Sequence, residues 1–395
     1  MTSDESKPSR PFGSERQFQI YLSGLQGQRP KLPIAAEALE REGNARMTPE
    51  ARGYVAGGAG DDTMRANREA FRHWRIVPRM LRDVSKRDLS VEVLGRRLAV
   101  PLLLAPIGVQ SIVHPDAEVA VARAAASVGV PFILSTASSK SMEQVAQAAG
   151  DVPRWYQLYW SSDDQLNASL VRRAERAGYQ AIVVTLDTTL LSWREQDLQQ
   201  AYLPFLLGQG LANYFSDPVF RQSLSEPPEA NLQAAIQHFV AVFSDPAMTW
   251  SDMNFLRQHT RLPILLKGIL HPDDARKAVE YGMDGIIVSN HGGRQVAGAI
   301  AALDALPAVV QAVNGALPVL FDSGIRGGSD VLKAIALGAR AVLLGRPYMW
   351  GLALDGEAGV REVLQNFLAD LDLALALSGY SSFRDVDTAT LHKSE

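Results

Sequence analysis

Eight short apolar runs, each followed by a stretch with helical periodicity, constrain this chain more than any other feature. They are PLLLAP from Pro101, PFILS from Pro131, RWYQLY from Arg154, QAIVVTLD from Gln180, PILLKG from Pro263, GIIVSN from Gly285, PVLFDSG from Pro318 and AVLLGRP from Ala341. Continuous runs of this length, rich in Val, Ile and Leu, suit strands buried on both faces of a parallel sheet. Between them apolar residues recur at helical spacing, as in DAEVAVARAAASV from Asp116 and GSDVLKAIALG from Gly328. Several of these stretches open on Asp or Ser, the residues that cap helix N-termini.

Strand ends lie roughly 23–32 residues apart, the length of a βα unit, with one larger gap. Eight parallel units of this kind predict an α/β fold of the (β/α)8 class, a TIM barrel. A doubly wound open sheet is the alternative. It usually carries fewer strands, and no G-x-G-x-x-G follows the first run. The predicted organisation is an N-terminal tail and capping segment over residues 1–100, a barrel over 101–380 and a C-terminal tail over 381–395. The capping segment holds a predicted helix around Pro33–Glu42 and a turn-rich stretch, YVAGGAGDD, from Tyr54. The larger gap, from Asp187 to Lys267, gives strand 4 about 50 surplus residues and predicts a lid over about 195–260, because long loops after barrel strands cover active sites.

The 395 residues include no cysteine, which removes disulfides, thiolate metal sites and cysteine nucleophiles. The seven histidines form no HExxH-like pair, and no metal site is expected. A net charge of −4 argues against nucleic acid or an anionic membrane as the main partner. The opening MTSDESKPSRPFGSE lacks the apolar core of a signal peptide, and no run of about 18 apolar residues occurs. A cytoplasmic protein with no membrane span is therefore expected.

In a TIM barrel, chemistry gathers at the C-terminal ends of the strands. Those ends read Pro106-Ile107-Gly108, Ser135-Thr136, Gln157-Leu158-Tyr159, Thr185-Leu186-Asp187, Lys267, Ser289-Asn290-His291-Gly292-Gly293-Arg294, Asp322-Ser323-Gly324-Ile325-Arg326 and Gly345-Arg346. Taken singly each has an ordinary reading: a lysine as a solvated rim charge, an aspartate as a helix cap, a histidine held by loop backbone. Their convergence on one rim points to a site. The loops after strands 7 and 8, DSGIRGGSD and LGRP, combine glycines for close approach with arginines for charge, and predict a bound phosphate group.

SNHGGRQ at Ser289–Gln295, ILLKG around Lys267, DSGIRGGSDVLKAIALGARAV and LGRP together resemble the FMN-dependent family that oxidises L-2-hydroxy acids, from about Tyr54 to the C-terminus. IYLSGLQG, YVAGGAGDD, LAPIGVQ, LANYFSDPVF and FDSGIRGGSDV are most similar to its lactate 2-monooxygenase branch. The resemblance implies FMN held by the backbone of Ile107 and Gly108 and by Ser135, Gln157 and Thr185 around the ring, with Ser289 in the same set. It places Lys267 beside the part of the ring where negative charge grows, Asp322, Gly324 and Arg326 on the ribityl-phosphate side, and Gly345 and Arg346 at the phosphate. Tyr54, Arg194 and Arg294 would bind the substrate carboxylate and Tyr159 the 2-hydroxyl. His291 would be the base and Asp187 its partner.

The residue types suit that chemistry. Histidine accepts a proton near neutral pH, and a carboxylate beside it stabilises the imidazolium. Two arginines grip a planar carboxylate and orient the carbon to be oxidised. A lysine favours negative charge on the ring, and FMN carries the electron chemistry. Ala137 stands where plant-type oxidases have Trp, and Ile107 and Gly108 stand where many members have Thr and Ala, so the pocket for the substrate side chain is expected to differ.

The implied partners are a small 2-hydroxy acid, L-lactate above all, and O2, in a homo-oligomer of tetrameric or higher order, with oxidation coupled to decarboxylation. Three readings compete: an oxidase releasing the 2-oxo acid and H2O2, a quinone-linked dehydrogenase, and a non-catalytic FMN-binding module. The quinone-linked reading needs a membrane anchor, and the most apolar stretch of the insertion, AYLPFLLGQGLANYF, is too short and too broken by Pro and Gly to span. The non-catalytic reading leaves the proton-handling and carboxylate-binding residues without a purpose.

Overall fold

The eight apolar runs form the eight strands of a closed parallel barrel in a computed structural model that describes residues 12–394. The polar stretch up to Pro11 and Glu395 lie outside the described residues. The strands are β1 (Leu102–Leu104), β2 (Phe132–Ser135), β3 (Arg154–Tyr159), β4 (Ile182–Thr185), β5 (Ile264–Ile269), β6 (Gly285–Val288), β7 (Val319–Phe321) and β8 (Ala341–Leu344). They pair in chain order, and β8 closes onto β1 through Val342↔Leu102, Leu343↔Leu103 and Leu344↔Leu104. Almost every strand residue is buried, because helices cover the outside and side chains fill the inside.

Outer helices follow the strands; some are capped by Ser or Asp as expected, whereas Asp116 makes no side-chain cap to its helix. Ser141 and Gln144 form a capping box at Met142–Ala149, and the Asp163 carboxylate accepts from the backbone of Gln165 and Leu166 at Asp164–Arg176. The last helix, Arg346–Leu377, is kinked at Asp355 and Gly356.

The insertion after β4 holds several helices of its own. Its last part, Asp252–His259, is the outer helix of the fourth unit and packs beside Asp164–Arg176. Its middle is fastened to the barrel. Asn213 Oδ1 accepts from Met142 N at 2.8 Å and its Nδ2 donates to Thr136 O at 3.1 Å. The buried Arg173 donates to Asn213 O at 2.8 Å and to Asp217 Oδ2 at 2.9 Å. Phe205, Tyr214, Phe239 and Phe243 stack together beneath it. These bonds tie this part to the end of β2 and to the helix after it.

The capping segment also departs from expectation. A helix at Phe12–Leu25 has no counterpart in the sequence reading, and the next spans Ala36–Arg46, beginning and ending later than predicted. Tyr54 and Val55 lie in a helix, Pro49–Ala56, so the predicted turn starts only at Gly57; Thr48 caps that helix and Pro49 opens it. The following helix, Asp62–Arg72, binds the loops beyond β6 and β7. Asn67 and Asn290 exchange amide hydrogen bonds, both of 2.8 Å, and Arg68 pairs with Asp330 at 2.8 Å. The expected C-terminal tail is folded too: Leu391–Lys393 pairs antiparallel with Trp74–Ile76. No helix among the described residues is long and apolar enough to cross a membrane.

Candidate active site

β4 and β6 flank β5, and their ends bring Asp187 and His291 together with Nδ1 and Oδ1 2.7 Å apart. β5 makes room for that contact. Its register shifts between Lys267 and Ile269, and Gly268 takes φ +108°. A Cβ on Gly268 would lie 3.0 Å from the Cβ and Cγ of Asp187, so both the backbone angle and the space call for glycine. His291 itself holds φ 57°, strained for a side-chain-bearing residue, in a short turn whose Gly293 N–H donates to Asn290 Oδ1 at 3.1 Å.

Burial holds the His291 imidazole below its ordinary range, against the pull of Asp187 and with help from the Lys267 charge. Burial alone would raise Asp187, but His291 and Lys267 together hold it below the usual carboxylate range. The pair at neutral pH is therefore a neutral imidazole donating Nδ1–H to a carboxylate, with Nε2 left as an acceptor. Lys267 is buried at the end of β5, donating to Ser289 Oγ at 2.9 Å and pairing with Asp322 Oδ2 at 3.2 Å. Ser289 Oγ also accepts from His291 N at 3.0 Å, so it supports base and lysine at once.

Tyr54, Tyr159, Arg194 and Arg294 line the same cleft as His291. The Arg294 guanidinium lies over the Tyr54 ring, 5.3 Å from its centroid, and donates to Gly57 O at 2.6 Å. Arg194 donates from Nη2 to Gln295 Oε1 at 2.6 Å, and Gln295 Nε2 donates to the Asp187 carbonyl at 2.5 Å. Gln295 thus ties an arginine of the insertion to the partner of the base. Burial raises both phenols, so both stay hydrogen-bond donors.

Arg346 stands close by and shares the Gly57 carbonyl with Arg294: it donates to Val55 O at 3.1 Å, Gly292 O at 3.0 Å and Gly57 O at 3.2 Å. No carboxylate among the described residues pairs with it. Burial, with the charges of Arg294 and Arg326 added, pushes it down to about 9. Arg326 stacks over Trp350 at 4.8 Å and pairs with Glu40 at 3.4 Å, a tether the sequence did not show.

One cleft joins these groups. Of the residues expected at the site, Tyr54, Ile107, Gly108, Tyr159, Arg194, Lys267, His291, Arg294, Asp322, Gly324, Arg326, Gly345 and Arg346 line it. Ser135, Gln157, Thr185, Ser289 and Asp187 stand behind its wall, all but Asp187 fully buried side chains at strand ends. Val55, Ala105, Pro106, Gly292, Ser323, Ile325 and Leu343 line it without having been given a role. Gln295 was visible as the last letter of SNHGGRQ, but nothing in the letters showed its bridging role.

The cleft fits FMN on its own chemistry. Arg346 is a buried cation in need of an anion, which a phosphate supplies. A Cβ on Gly345 would make only ordinary contacts, at 3.9 Å with Ala105 Cβ and Ile107 Cδ1, so nothing crowds the backbone there. Gln157 accepts from Ser135 Oγ at 3.1 Å and from Thr136 N at 3.2 Å, while its Nε2 is a buried donor without a partner among the described residues.

A parallel barrel that gathers a buried arginine with no carboxylate partner among the described residues, a buried lysine and an imidazole–carboxylate pair beside two arginines fits a flavin-dependent oxidoreductase of 2-hydroxy acids. Comparison with known proteins agrees: residues 43–393 match the family described as FMN-dependent dehydrogenase. The chain is 44% identical over 377 residues to an L-lactate oxidase of Lysinibacillus sphaericus, covering 95% of this chain and 97% of that protein. It is 43% identical over 343 residues to 2-hydroxyacid oxidase 1 of Homo sapiens, covering 86% and 91%. A solved mandelate oxidase structure superposes with a TM-score of 0.80 at 40% identity, covering 91% of this chain and 98% of that one. The chain belongs to the FMN-dependent dehydrogenase family, and FMN is its cofactor.

Proposed function

We propose that this protein oxidises short L-2-hydroxy acids, L-lactate above all, with O2 as acceptor, and that with lactate the reaction runs on to acetate, CO2 and water. The observation that carries the first part is the His291–Asp187 pair at 2.7 Å, set beside Arg194, Arg294, Tyr54 and Tyr159 in one cleft. FMN, when bound, supplies the two-electron acceptor and the reactivity with O2. The arginine pair and Tyr54 grip the substrate carboxylate and fix the carbon bearing the hydroxyl. Tyr159 hydrogen-bonds that hydroxyl, and His291 Nε2 takes its proton while Asp187 stabilises the imidazolium. Lys267 offers positive charge to the ring, steadied by Asp322. Ile107, Gly108, Ser135, Gln157 and Thr185 surround the ring, and Gly324, Arg326, Gly345 and Arg346 hold the ribityl phosphate.

The second part rests on Gly108. A Cβ there would lie 2.7 Å from Ala137 O and 3.0 Å from Ala137 Cβ. Val109 N donates to the same carbonyl at 2.8 Å, so glycine lets the loop after β1 press onto the loop after β2. The insertion closes on the same place, where Gly210 packs against Val109 and Ala137 O. A tight wall keeps pyruvate beside the H2O2 formed with it. Peroxide adds to the keto carbon, the bond to the carboxylate breaks to release CO2, and the O–O bond breaks to give acetate and water.

A second reading, release of pyruvate and H2O2, is favoured by the likeness to L-lactate oxidase and 2-hydroxyacid oxidase 1. Product analysis after aerobic turnover separates the two. Acetate with little free peroxide supports decarboxylation; stoichiometric pyruvate and peroxide overturn it. Cytoplasmic residence and assembly of several copies belong to the same proposal.

A further inference from the structure

We propose that Asp197 sets how tightly the site holds carboxylates, as a resident counter-charge behind the two arginines. The inference rests on the reading of Arg194 and Arg294 as a carboxylate grip. Asp197 lies in the helix Glu195–Gln199, one turn beyond Arg194, and its side chain is 11% exposed. Its Oδ2 is 4.0 Å from Arg194 Nη1 and 4.0 Å from Arg294 Nη2. Its Oδ1 is buried with no hydrogen-bond partner.

These distances separate charge from geometry. At 4.0 Å the carboxylate makes no hydrogen bond to either guanidinium. The forks are held by other groups: Arg194 by Ser192 Oγ at 3.0 Å and Gln295 Oε1 at 2.6 Å, Arg294 by Gly57 O at 2.6 Å. Asp197 therefore contributes field and not position. It does not line the cleft, so it acts on a ligand through the arginines.

Two guanidiniums side by side in a buried wall repel one another, and burial together with Arg194 already pushes Arg294 down to about 10. With Asp197 ionised the trio carries a single positive charge, and a monocarboxylate brings it to neutrality. Removing the Asp197 charge leaves two positive charges to meet the same ligand. Substrate and 2-oxo acid product are both carboxylates and gain alike, so the residue lowers affinity in exchange for release.

The test is titration of the FMN-loaded protein with oxalate, read by the change in flavin absorbance, for the unmodified chain, Asp197→Asn and Asp197→Glu. Asp197→Asn should bind oxalate about tenfold more tightly, with a lower KM for L-lactate and no gain in kcat. Asp197→Glu should stay near the unmodified affinity. A packing defect weakens binding and does not tighten it, so the gain is specific to lost charge. Unchanged or weaker oxalate binding by Asp197→Asn with FMN in place overturns the proposal, as does equal tightening in Asp197→Glu. If Asp197→Asn loses FMN, Asp197→Ser is titrated in its place under the same criteria. Failure of oxalate to perturb even the unmodified protein would instead overturn the carboxylate grip itself.

Discussion

His291 Nδ1 lies 2.7 Å from Asp187 Oδ1 across the bulge that Gly268 makes in β5, and this contact fixes which imidazole nitrogen is free to accept a proton. Three strands have to agree for it to form. β4 delivers the carboxylate, β6 the imidazole, and β5 yields the space between them.

Replacing His291 by Gln should leave FMN bound and slow anaerobic bleaching of the flavin by L-lactate by about 10³-fold or more, the scale of losing a central base. Because burial holds His291 below the ordinary imidazole range, the proton-free form prevails at neutral pH. In the unmodified protein the bleaching rate should be level through neutral and alkaline pH and fall only at more acid pH than an ordinary histidine would give. Stability follows the same sign. The unfolded histidine binds a proton more readily than the folded one, so stability is lost as pH falls through that window.

Changing Arg194 or Arg294 to Lys keeps the charge and loses the planar fork. Each change should lower kcat/KM for L-lactate by about 100-fold with FMN retained. Lactamide, which has no carboxylate, should be a poor substrate of the unmodified protein. Oxidation of lactamide as fast as lactate would remove these arginines from their role.

Much of this site was legible because barrel strands end where their chemistry begins. SNHGGRQ marked His291 and Arg294, and the glycine- and arginine-rich ends of β7 and β8 marked Gly324, Arg326, Gly345 and Arg346, which line the same cleft. Relations between distant parts of the chain were not legible. Nothing in the letters shows Glu40 reaching Arg326, Asn67 pairing with Asn290, or Gln295 joining Arg194 to Asp187. The insertion was read as a lid because its length was visible, whereas its fastening through Arg173 and Asn213 depends on a helix and a loop far apart in sequence. The helix Phe12–Leu25 was missed because its apolar residues Phe18, Tyr21 and Leu22 are largely exposed, so no buried stripe announced it.

Gly108→Ala places a methyl group 2.7 Å from the Ala137 carbonyl, so the two loops must part by several tenths of an ångström. The variant should lose roughly 1–3 kcal/mol of stability, as overpacked sites do. Its aerobic products should shift from acetate toward pyruvate and free H2O2. Unchanged acetate yield in a folded variant would separate Gly108 from the fate of the product.

Arg346→Met removes a buried cation that has no carboxylate partner among the described residues. Its FMN affinity should fall by about 100-fold or more, while riboflavin, which lacks the phosphate, should bind both proteins alike. Equal FMN affinity, measured by quenching of flavin fluorescence, would place the phosphate elsewhere.

The most direct measurement is anaerobic mixing of the FMN-loaded protein with L-lactate while the absorbance of the oxidised flavin is followed. Rapid bleaching by L-lactate, abolished in His291→Gln, is the result that a base-and-carboxylate site for 2-hydroxy acids requires. Flavin that stays oxidised in the unmodified protein with L-lactate and with its short homologues, or that bleaches equally fast without His291, would contradict it.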